Sequence, residues 1–187
     1  ITCSGTCDLS GVTARAMFDD KNLATQAVGA ITLDPTDPLG ETVWVGTGDW
    51  SAGDQFSAGL LKTTDGGSTW TQIGTNVFTP YSNVVPPDQT NGGCGGCVGN
   101  RWSNQNVKAI VVDPRNAQRL FVGTRNDLYT TNDGGTNWRL ANGHNALSQR
   151  AWYYSTLTID PTNPEIVWFP QVSLLRTIDG GKTIHAV

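Results

Sequence analysis

Short runs of apolar and β-branched residues recur along the chain, separated by glycine, proline, aspartate and asparagine. One run ends each time in Asp-Pro and reads VGAITLDP, VKAIVVDP and YSTLTIDP, at residues 28–35, 107–114 and 154–161. A second run follows and reads TVWVGTG, RLFVGTR and EIVWFPQ, at residues 42–48, 119–125 and 165–171. β-Branched and aromatic residues are typical of strands, and Gly, Pro, Asp and Asn are typical of turns. The pattern therefore predicts two consecutive strands, A and B, in each copy.

A third run in each copy begins with Leu and leads into an Asp-Gly-Gly turn, which we call the corner. The three corners read TTDGGSTW, TNDGGTNW and TIDGGKTI, at residues 63–70, 131–138 and 177–184. A further strand follows each corner, so the unit is strand A, Asp-Pro turn, strand B, loop, strand C, corner and strand D. No segment as long as an ordinary helix shows a helical period.

A four-stranded antiparallel unit that repeats along a chain is the blade of a β-propeller. The sequence therefore predicts an all-β chain, with a single propeller segment over residues 1–187. The predicted segment has about three blades of four antiparallel strands, at residues 26–75, 106–141 and 154–187. Residues 12–18 are predicted to form a strand of a preceding blade, and residues 76–105 a long cysteine-containing loop.

Three blades do not close a ring, since propellers typically have four to eight. The first residue is Ile1, and the single methionine is Met17. We therefore expect the chain to be a segment of a larger propeller, or to find its missing blades in another chain.

The corner matches the Asp-box pattern of BNR repeats, Ser/Thr-x-Asp-x-Gly-x-Thr-Trp, and departs from it at Asn137 and Ile184. The pattern occurs in sialidases, in sortilin-type receptors and in the xyloglucan-cleaving glycosidases of family 74. With its preceding strands, the chain most resembles secreted bacterial proteins of the sortilin and family 74 type. The resemblance implies propeller architecture and leaves the activity open. The corner residues that it assigns to a structural role are Asp65, Gly67, Trp70, Asp133, Gly135, Trp138, Asp179 and Gly181.

In the first corner, Asp65 is expected to accept backbone N–H groups two and three residues on. Gly66 and Gly67 are expected to adopt positive φ. Thr69 would bond further backbone groups, and Trp70 would bury its ring between sheets. The alternative is that the corner aspartates are catalytic or bind calcium. Three equivalent copies cannot all face one substrate, and a calcium loop needs more carboxylates, so a structural role is favoured.

Strand direction alternates within a blade, so the A–B turns and the corners share one end of the sheets, the corner face. The B–C loops and the connections between blades share the other end, the loop face, where the sequence does not repeat. Binding residues tend to lie on variable loops held by a rigid scaffold, so function is predicted on the loop face. The ligand-binding candidates are Trp50, Trp102, Trp152 and Arg101, and the candidate catalytic acids are Asp49 and Asp54.

Tryptophan rings can stack on sugar rings, and a glycosidase needs two carboxylates roughly 5–10 Å apart. The alternative is that the three loop tryptophans fill gaps between blades and that the two aspartates are solvated. The Arg-Ile-Pro motif of sialidases does not occur, and His144 and His185 lie far apart in the sequence. No metal and no cofactor are expected.

Composition and cysteine content narrow the class of protein. Hydrophobic residues make up 37% and charged residues 15%, the net charge is −4, and there is neither a basic stripe nor an apolar run of membrane-helix length. The four cysteines form two local pairs, Cys3 with Cys7 and Cys94 with Cys97, which the predicted layout puts on opposite faces. Disulfides within these pairs would indicate a protein outside the cytoplasm. A four-thiolate zinc site and a CGGC redox motif are the alternatives.

The leading interpretation is a secreted or cell-surface propeller that serves as a binding scaffold for glycans or other extracellular polymers. One alternative is a polysaccharide hydrolase of the xyloglucanase kind, and another is a purely structural cell-surface module. Binding is favoured over catalysis for this segment. The expected partners are such a polymer and further blades of the same protein or of another chain, with no nucleic acid and no membrane span.

Overall fold

The computed structural model describes residues 25, 27–48, 57–78, 106–124, 127–143, 147 and 156–187. These residues form three four-stranded antiparallel sheets and contain no α-helix. The predicted all-β fold of propeller blades is confirmed. The predicted strand at 12–18 and most of the predicted loop at 76–105 lie outside the described residues.

Each sheet takes its strands in chain order, as a blade does. Blade 1 contains β1 (Val28–Leu33), β2 (Val43–Thr47), β3 (Leu60–Thr63) and β4 (Thr71–Ile73). Blade 2 contains β5 (Val107–Asp113), β6 (Asn116–Thr124), β7 (Leu128–Thr131) and β8 (Arg139–Asn142). Blade 3 contains β9 (Thr158–Ile159), β10 (Val167–Pro170), β11 (Leu174–Thr177) and β12 (His185–Ala186). The first strands of successive blades contact one another, β1 with β5 and β5 with β9.

Strand register makes positions in the three blades equivalent. The first residue of each corner lies opposite an apolar residue of the second strand, namely Val43, Leu120 and Val167. The next residues, Trp44, Phe121 and Trp168, are therefore equivalent too, and they point to the opposite side of their sheets. We call the side that carries Trp44, Phe121 and Trp168 the forward face, and the other side the backward face.

The forward face of blade 1 packs on the backward face of blade 2. Trp44 and Leu60 of blade 1 are fully buried in this first core. The blade 2 residues that share it are Ile110, Val112, Leu120, Val122 and Tyr129. Phe78, five residues after β4, is also buried there, and its ring meets those of Tyr129 and Trp138 edge-on at 5.3 and 5.0 Å. Apolar burial of this kind contributes about 25 cal/mol per Å².

The same arrangement joins blade 2 to blade 3. Phe121 and Leu128, from the forward face of blade 2, pack in a second core with residues of blade 3. The blade 3 residues are Ile159, Val167, Phe169 and Leu175. On the backward face of blade 1, Val43, Val45 and Leu61 form a third, smaller cluster with the half-buried Trp70. Within the described residues, no helix is long and apolar enough to cross a membrane.

Candidate functional site

The first corner is closed by two side chains that bond to each other. The Thr63 hydroxyl donates to Asp65 Oδ1 at 2.7 Å and accepts the backbone N–H of Gly67 at 2.9 Å. Asp65 Oδ1 accepts the backbone N–H of Thr69 at 2.8 Å, and Asp65 Oδ2 accepts the Thr69 hydroxyl at 2.7 Å. The main backbone partner of Asp65 is thus four residues on rather than two or three, and Thr69 bonds the carboxylate rather than backbone.

The same hydrogen bonds recur in the other two corners. Asp179 accepts the Thr183 N–H and hydroxyl at 2.9 and 2.6 Å, and Asp133 accepts the Asn137 N–H at 2.9 Å. At Asn137, where the Asp-box pattern has Thr, the side-chain amide donates to Asp133 Oδ2 at 2.8 Å. This departure from the pattern therefore preserves the hydrogen bond, because the amide supplies the donor that a hydroxyl supplies elsewhere.

The two glycines of each corner have positive φ, as predicted, with 63° and 86° at Gly66 and Gly67. The second glycine also allows two blades to approach each other. A Cβ at Gly135 would lie 3.1 Å from the Ile73 side chain of blade 1 and 3.5 Å from the Trp44 ring. A side chain at Gly135 would press on the first core, so glycine serves both the turn and the packing between blades.

The eighth residue of the second and of the third corner packs toward the preceding blade. Trp138 is half-buried and packs against the first core, and Ile184 is half-buried and packs against the second. Ile184 therefore takes the position of an aromatic residue without changing the contact. Each corner thus closes a turn within its blade, and the second and third corners add apolar contact to the blade before them.

The hydrogen bonds hold the corner carboxylates in their ionised form. The backbone N–H of Thr69 is the largest influence at Asp65, and it helps to lower the pKa from 3.8 to about 2. The N–H of Asn137 does the same at Asp133, where the pKa is also about 2. At Asp179 the hydroxyl of Thr183 is the largest influence, and the pKa is again about 2.

These lowered pKa values predict that stability falls in acid. Below its ordinary pKa of 3.8 an unfolded aspartate takes up a proton, while the folded corner aspartates resist until about pH 2. Their contribution is therefore complete above about pH 4 and is lost as the pH falls toward 2. The urea midpoint should drop over this window. The triple variant Asp65→Asn, Asp133→Asn, Asp179→Asn should start lower at neutral pH and fall less steeply, and an unchanged slope would contradict this role.

Other carboxylates of the corner face also accept hydrogen bonds from nearby backbone N–H groups. In the A–B turns, the aspartates at equivalent positions each accept a backbone N–H two residues on; these are Asp34, Asp113 and Asp160. Asp37 accepts the backbone N–H of Thr42 at 2.7 Å. The corners are tied to the A–B segments as well, since Gly66, Gly134 and Gly180 donate to the carbonyls of Glu41, Gln118 and Glu165. Within the described residues, no group of three His, Cys, Asp or Glu is arranged to hold a metal ion.

The described part of the loop face shows how its loops are supported. The Thr47 hydroxyl, at the end of β2, donates to the Gly59 carbonyl at 2.6 Å and accepts the Ala58 N–H at 2.8 Å. At the equivalent position of blade 2, the Thr124 hydroxyl donates to the Asp127 carbonyl and accepts the Asp127 N–H. A threonine thus fixes the base of the B–C loop in both blades.

Asn106 ties blade 1 to the start of blade 2 on the same face. Its side chain is fully buried, and Oδ1 accepts the backbone N–H of Ser57 at 2.9 Å. A Cβ at Gly48, which has φ of 103°, would lie 2.4 Å from that oxygen. The contact therefore needs an accepting side-chain oxygen at position 106 and a glycine at position 48.

Replacement of Asn106 by Ala should lower the free energy of unfolding by about 1–3 kcal/mol, because the buried Ser57 N–H loses its acceptor. Asn116→Ala is a matched control, since Asn116 is exposed and its Oδ1 accepts the Gln118 N–H where water can replace it. The control should change stability by less than about 0.5 kcal/mol. Urea unfolding followed by tryptophan fluorescence measures both, and equal effects would contradict the role given to Asn106.

The functional candidates on the loops lie outside the described residues. These are the tryptophans and arginine Trp50, Trp102, Trp152 and Arg101, the acids Asp49 and Asp54, and the cysteines Cys3, Cys7, Cys94 and Cys97. They remain predictions. The corner residues are described, and the structure gives each of them the hydrogen bonds or the packing reported above.

Three residues of the loop face were not singled out from the sequence. Thr47 ends a strand in a position where threonine is common, and Asn106 precedes a strand without any turn motif. Asp127 is 5% exposed and directly precedes the Leu-initiated run of blade 2. Repetition of threonine at the end of strand B, in Thr47 and Thr124, was the signal that could have identified Thr47 and its equivalent in blade 2.

No family model and no curated protein matches this sequence. Solved structures do match it. A GH74 enzyme from Niastella koreensis is 22% identical with a TM-score of 0.55, over 87% of this chain and 22% of that chain. A GH74 xyloglucanase from Xanthomonas campestris is 18% identical with a TM-score of 0.58, over 86% of this chain and 23% of that chain. YCF48 bound to a D1 peptide is 13% identical with a TM-score of 0.52, over 86% of this chain and 40% of that chain.

This chain spans less than half the length of each of these proteins. At such identities the likeness shows the fold and nothing further. The repeated sheets, the register of their strands and the corners agree with that likeness. The described residues therefore form blades of a β-propeller, the fold that the GH74 enzymes and YCF48 have.

Proposed function

We propose that this chain is part of a β-propeller that binds extracellular polymers, glycans first among them, through its loop face. One observation carries the proposal: the aspartates of the A–B turns and corners on the opposite face accept hydrogen bonds from their own turns. This holds for Asp65, Asp133 and Asp179 and for the A–B turn aspartates. Carboxylates that accept hydrogen bonds from their own turns stabilise those turns and are not free to bind a ligand. The loop face is therefore the better candidate for a ligand site.

The chemistry of the loop candidates suits a sugar polymer. A tryptophan ring presents an apolar face that stacks on the C–H groups of a sugar, and Trp50, Trp102 and Trp152 all fall in loop-face segments of the sequence. Arg101 adds a donor group for hydroxyl or carboxylate oxygens. Three aromatic residues in separate loops suit an extended chain better than a small molecule.

The described base of the loops favours binding as well. Thr47 and Thr124 hydrogen-bond the described residues at the bases of the two B–C loops, and Asn106 joins the first base to the next blade. A ligand loses less free energy on binding when the groups that contact it are already held in place. The structural neighbours also bind polymers, since one is described as a xyloglucanase and another as bound to a peptide.

Affinity electrophoresis and calorimetry against xyloglucan and other β-glucans test the proposal. Trp50→Ala, Trp102→Ala and Trp152→Ala should each weaken binding, and one stacked ring is worth about 0.5–1.5 kcal/mol, or roughly two- to thirteen-fold in affinity. Ser68→Ala, at an exposed corner position, should leave affinity unchanged. No binding to any glycan, or equal loss in the Ser68→Ala control, would refute glycan recognition by the loop face.

A second function, polysaccharide hydrolysis, is favoured by the GH74 neighbours alone. Release of reducing sugar from xyloglucan, abolished by Asp49→Asn or Asp54→Asn, would support it. Binding without release would leave the scaffold proposal in place.

The oxidation state of the four cysteines would indicate whether the protein is located outside the cytoplasm. We expect disulfides between Cys3 and Cys7 and between Cys94 and Cys97, which would suit a secreted or cell-surface protein. Peptide mapping without reductant tests this pairing. A linkage between the two pairs, or four free thiols in protein recovered from its native source, would contradict it.

A further inference from the structure

Both ends of the first B–C loop meet the end of another loop-face segment. This B–C loop leaves blade 1 after Gly48 and returns at Ser57, and the connection to blade 2 ends at Asn106, directly before β5. Asn106 Oδ1 accepts the Ser57 N–H at 2.9 Å. A Cβ at Gly48 would lie 2.4 Å from that oxygen and 3.0 Å from the Ser57 nitrogen. Gly48, Ser57 and Asn106 therefore lie together at the base of two loops.

The polar groups around this contact are buried and bonded to one another. Thr47, Ser57 and Asn106 are 1%, 4% and 0% exposed. The Thr47 and Ser57 hydroxyls are 3.2 Å apart, and the Ser57 hydroxyl also accepts the Gly59 N–H at 3.2 Å. Hydrogen bonds in a buried network depend on one another, because water does not readily replace one that is lost. Displacement of the Asn106 side chain would therefore disturb the whole base of the first B–C loop.

The corresponding loop of blade 2 is much shorter. It leaves at Thr124 and returns at Asp127, whose backbone N–H and carbonyl both bond to the Thr124 hydroxyl. Residues 125–126 separate these two ends, whereas residues 49–56 separate Gly48 from Ser57. A longer flexible loop costs more entropy to close. Asn106 thus adds a restraint from the next blade at the longer of the two loops.

The ligand-binding candidates lie close to this contact along the chain. Trp50 is two residues after Gly48, and Trp102 is four residues before Asn106. An extended chain spans at most about 3.6 Å per residue, so the Cα atoms of the two tryptophans lie within roughly 7 and 14 Å of these anchors. Trp152 belongs to the connection between blades 2 and 3. A polymer that stacks on Trp50 and Trp102 would thus lie over the junction of blades 1 and 2.

We infer that Asn106 is a positioning residue for glycan binding, and that the binding site lies over the junction of blades 1 and 2. This role rests on the proposed function, because it names the location of that site and the residue that holds its two loops together. Asn106 itself is fully buried and acts through the segments that it joins. Without its oxygen the two segments would move independently, and binding a polymer that contacts both would cost more ordering entropy.

The interface of blades 1 and 2 offers a matched control at its other end. Val112 is 4% exposed, lies at the corner-face end of β5 and packs in the first core. Val112→Ala would loosen the same two blades far from the loops, because it removes apolar contacts. If Asn106 served stability alone, both variants would weaken binding. A positioning role predicts that Asn106→Ala weakens binding and that Val112→Ala does not.

Affinity electrophoresis and calorimetry against xyloglucan and other β-glucans, at a temperature where each variant is fully folded, test this role. Asn106→Ala should weaken binding about tenfold, the effect of ordering one or two further side chains. Gly48→Ala, which places a methyl group against Asn106 Oδ1 from the other loop, should do the same. Val112→Ala should lower the urea midpoint and leave the affinity unchanged. Wild-type affinity in Asn106→Ala and Gly48→Ala, or an equal loss in Val112→Ala, would overturn the positioning role.

Hydrogen exchange tests the same contact without a ligand. In Asn106→Ala the Ser57 N–H should exchange about tenfold faster relative to the buried corner amides of Gly67 and Gly135, since it alone of the three loses its acceptor. Equal acceleration at all three amides, or none, would overturn the role of Asn106 whatever the glycan results. Failure of the wild type to bind any β-glucan would instead refute the proposed function, and with it the glycan role, even where exchange shows that the two loops are joined.

Discussion

The variant Phe121→Ala is expected to lose about 3–5 kcal/mol of unfolding free energy, which is a large part of the stability of an ordinary domain. Phe121 is fully buried on the forward face of blade 2, in the core shared with blade 3. Truncation leaves a cavity that Val167 and Phe169 cannot fill, because strand pairing holds both in place. The urea midpoint should fall with little change in the slope of the transition.

Leu39→Ala is the control for this experiment, since Leu39 is 77% exposed and should change stability by less than about 0.5 kcal/mol. If Phe121→Ala unfolded at the wild-type urea concentration, blades 2 and 3 could not be packed as described.

Gly46→Ala is expected to lower the free energy of unfolding by about 2–3 kcal/mol. A Cβ at this position would lie 2.2 Å from Val107 Cγ1 and 2.6 Å from Val107 Cβ. Val107 is fully buried in β5 and cannot move away without shifting the start of blade 2. The methyl group would therefore separate the two blades near their inner strands.

Gly123→Ala provides a matched control at the equivalent position of blade 2. Its Cβ would lie 3.4 Å from Leu157, which is ordinary van der Waals contact, so stability should stay close to that of the wild type. Thermal and urea unfolding of the two variants side by side measure the difference. Equal effects of the two substitutions would show that the closer approach at Gly46 does not restrain the fold.

Strand order and blade architecture could be predicted because their signals are local and repeated. The runs that end in Asp-Pro, and the corners with two glycines, each mark a strand end whose chemistry is visible within eight residues. Asn137 stands where the Asp-box pattern has Thr, but the corner is still recognisable. Its side-chain amide donates to Asp133 Oδ2 as a threonine hydroxyl would. Local hydrogen bonds of this kind are readable from sequence.

Contacts between blades were harder to predict, because the partners are far apart in the chain. Trp70, the tryptophan of the first corner, is only half-buried. Trp44, which no sequence motif singles out, is fully buried in the first core. Asn106 reaches Ser57 across 49 residues. A short stretch of sequence does not show which distant residues will pair. Predicting such pairs requires the register of the sheets and the packing of one blade on the next.

The hydrogen bonds of the corner threonine and aspartate side chains join residues no more than four positions apart. A unit that closes its own turns carries everything that those turns need when it is copied in tandem. A duplicated blade would inherit a complete corner, and only its two sheet faces would have to match their new neighbours. Gain or loss of whole blades is therefore an accessible route of evolution for this chain, with the loops free to diverge afterwards.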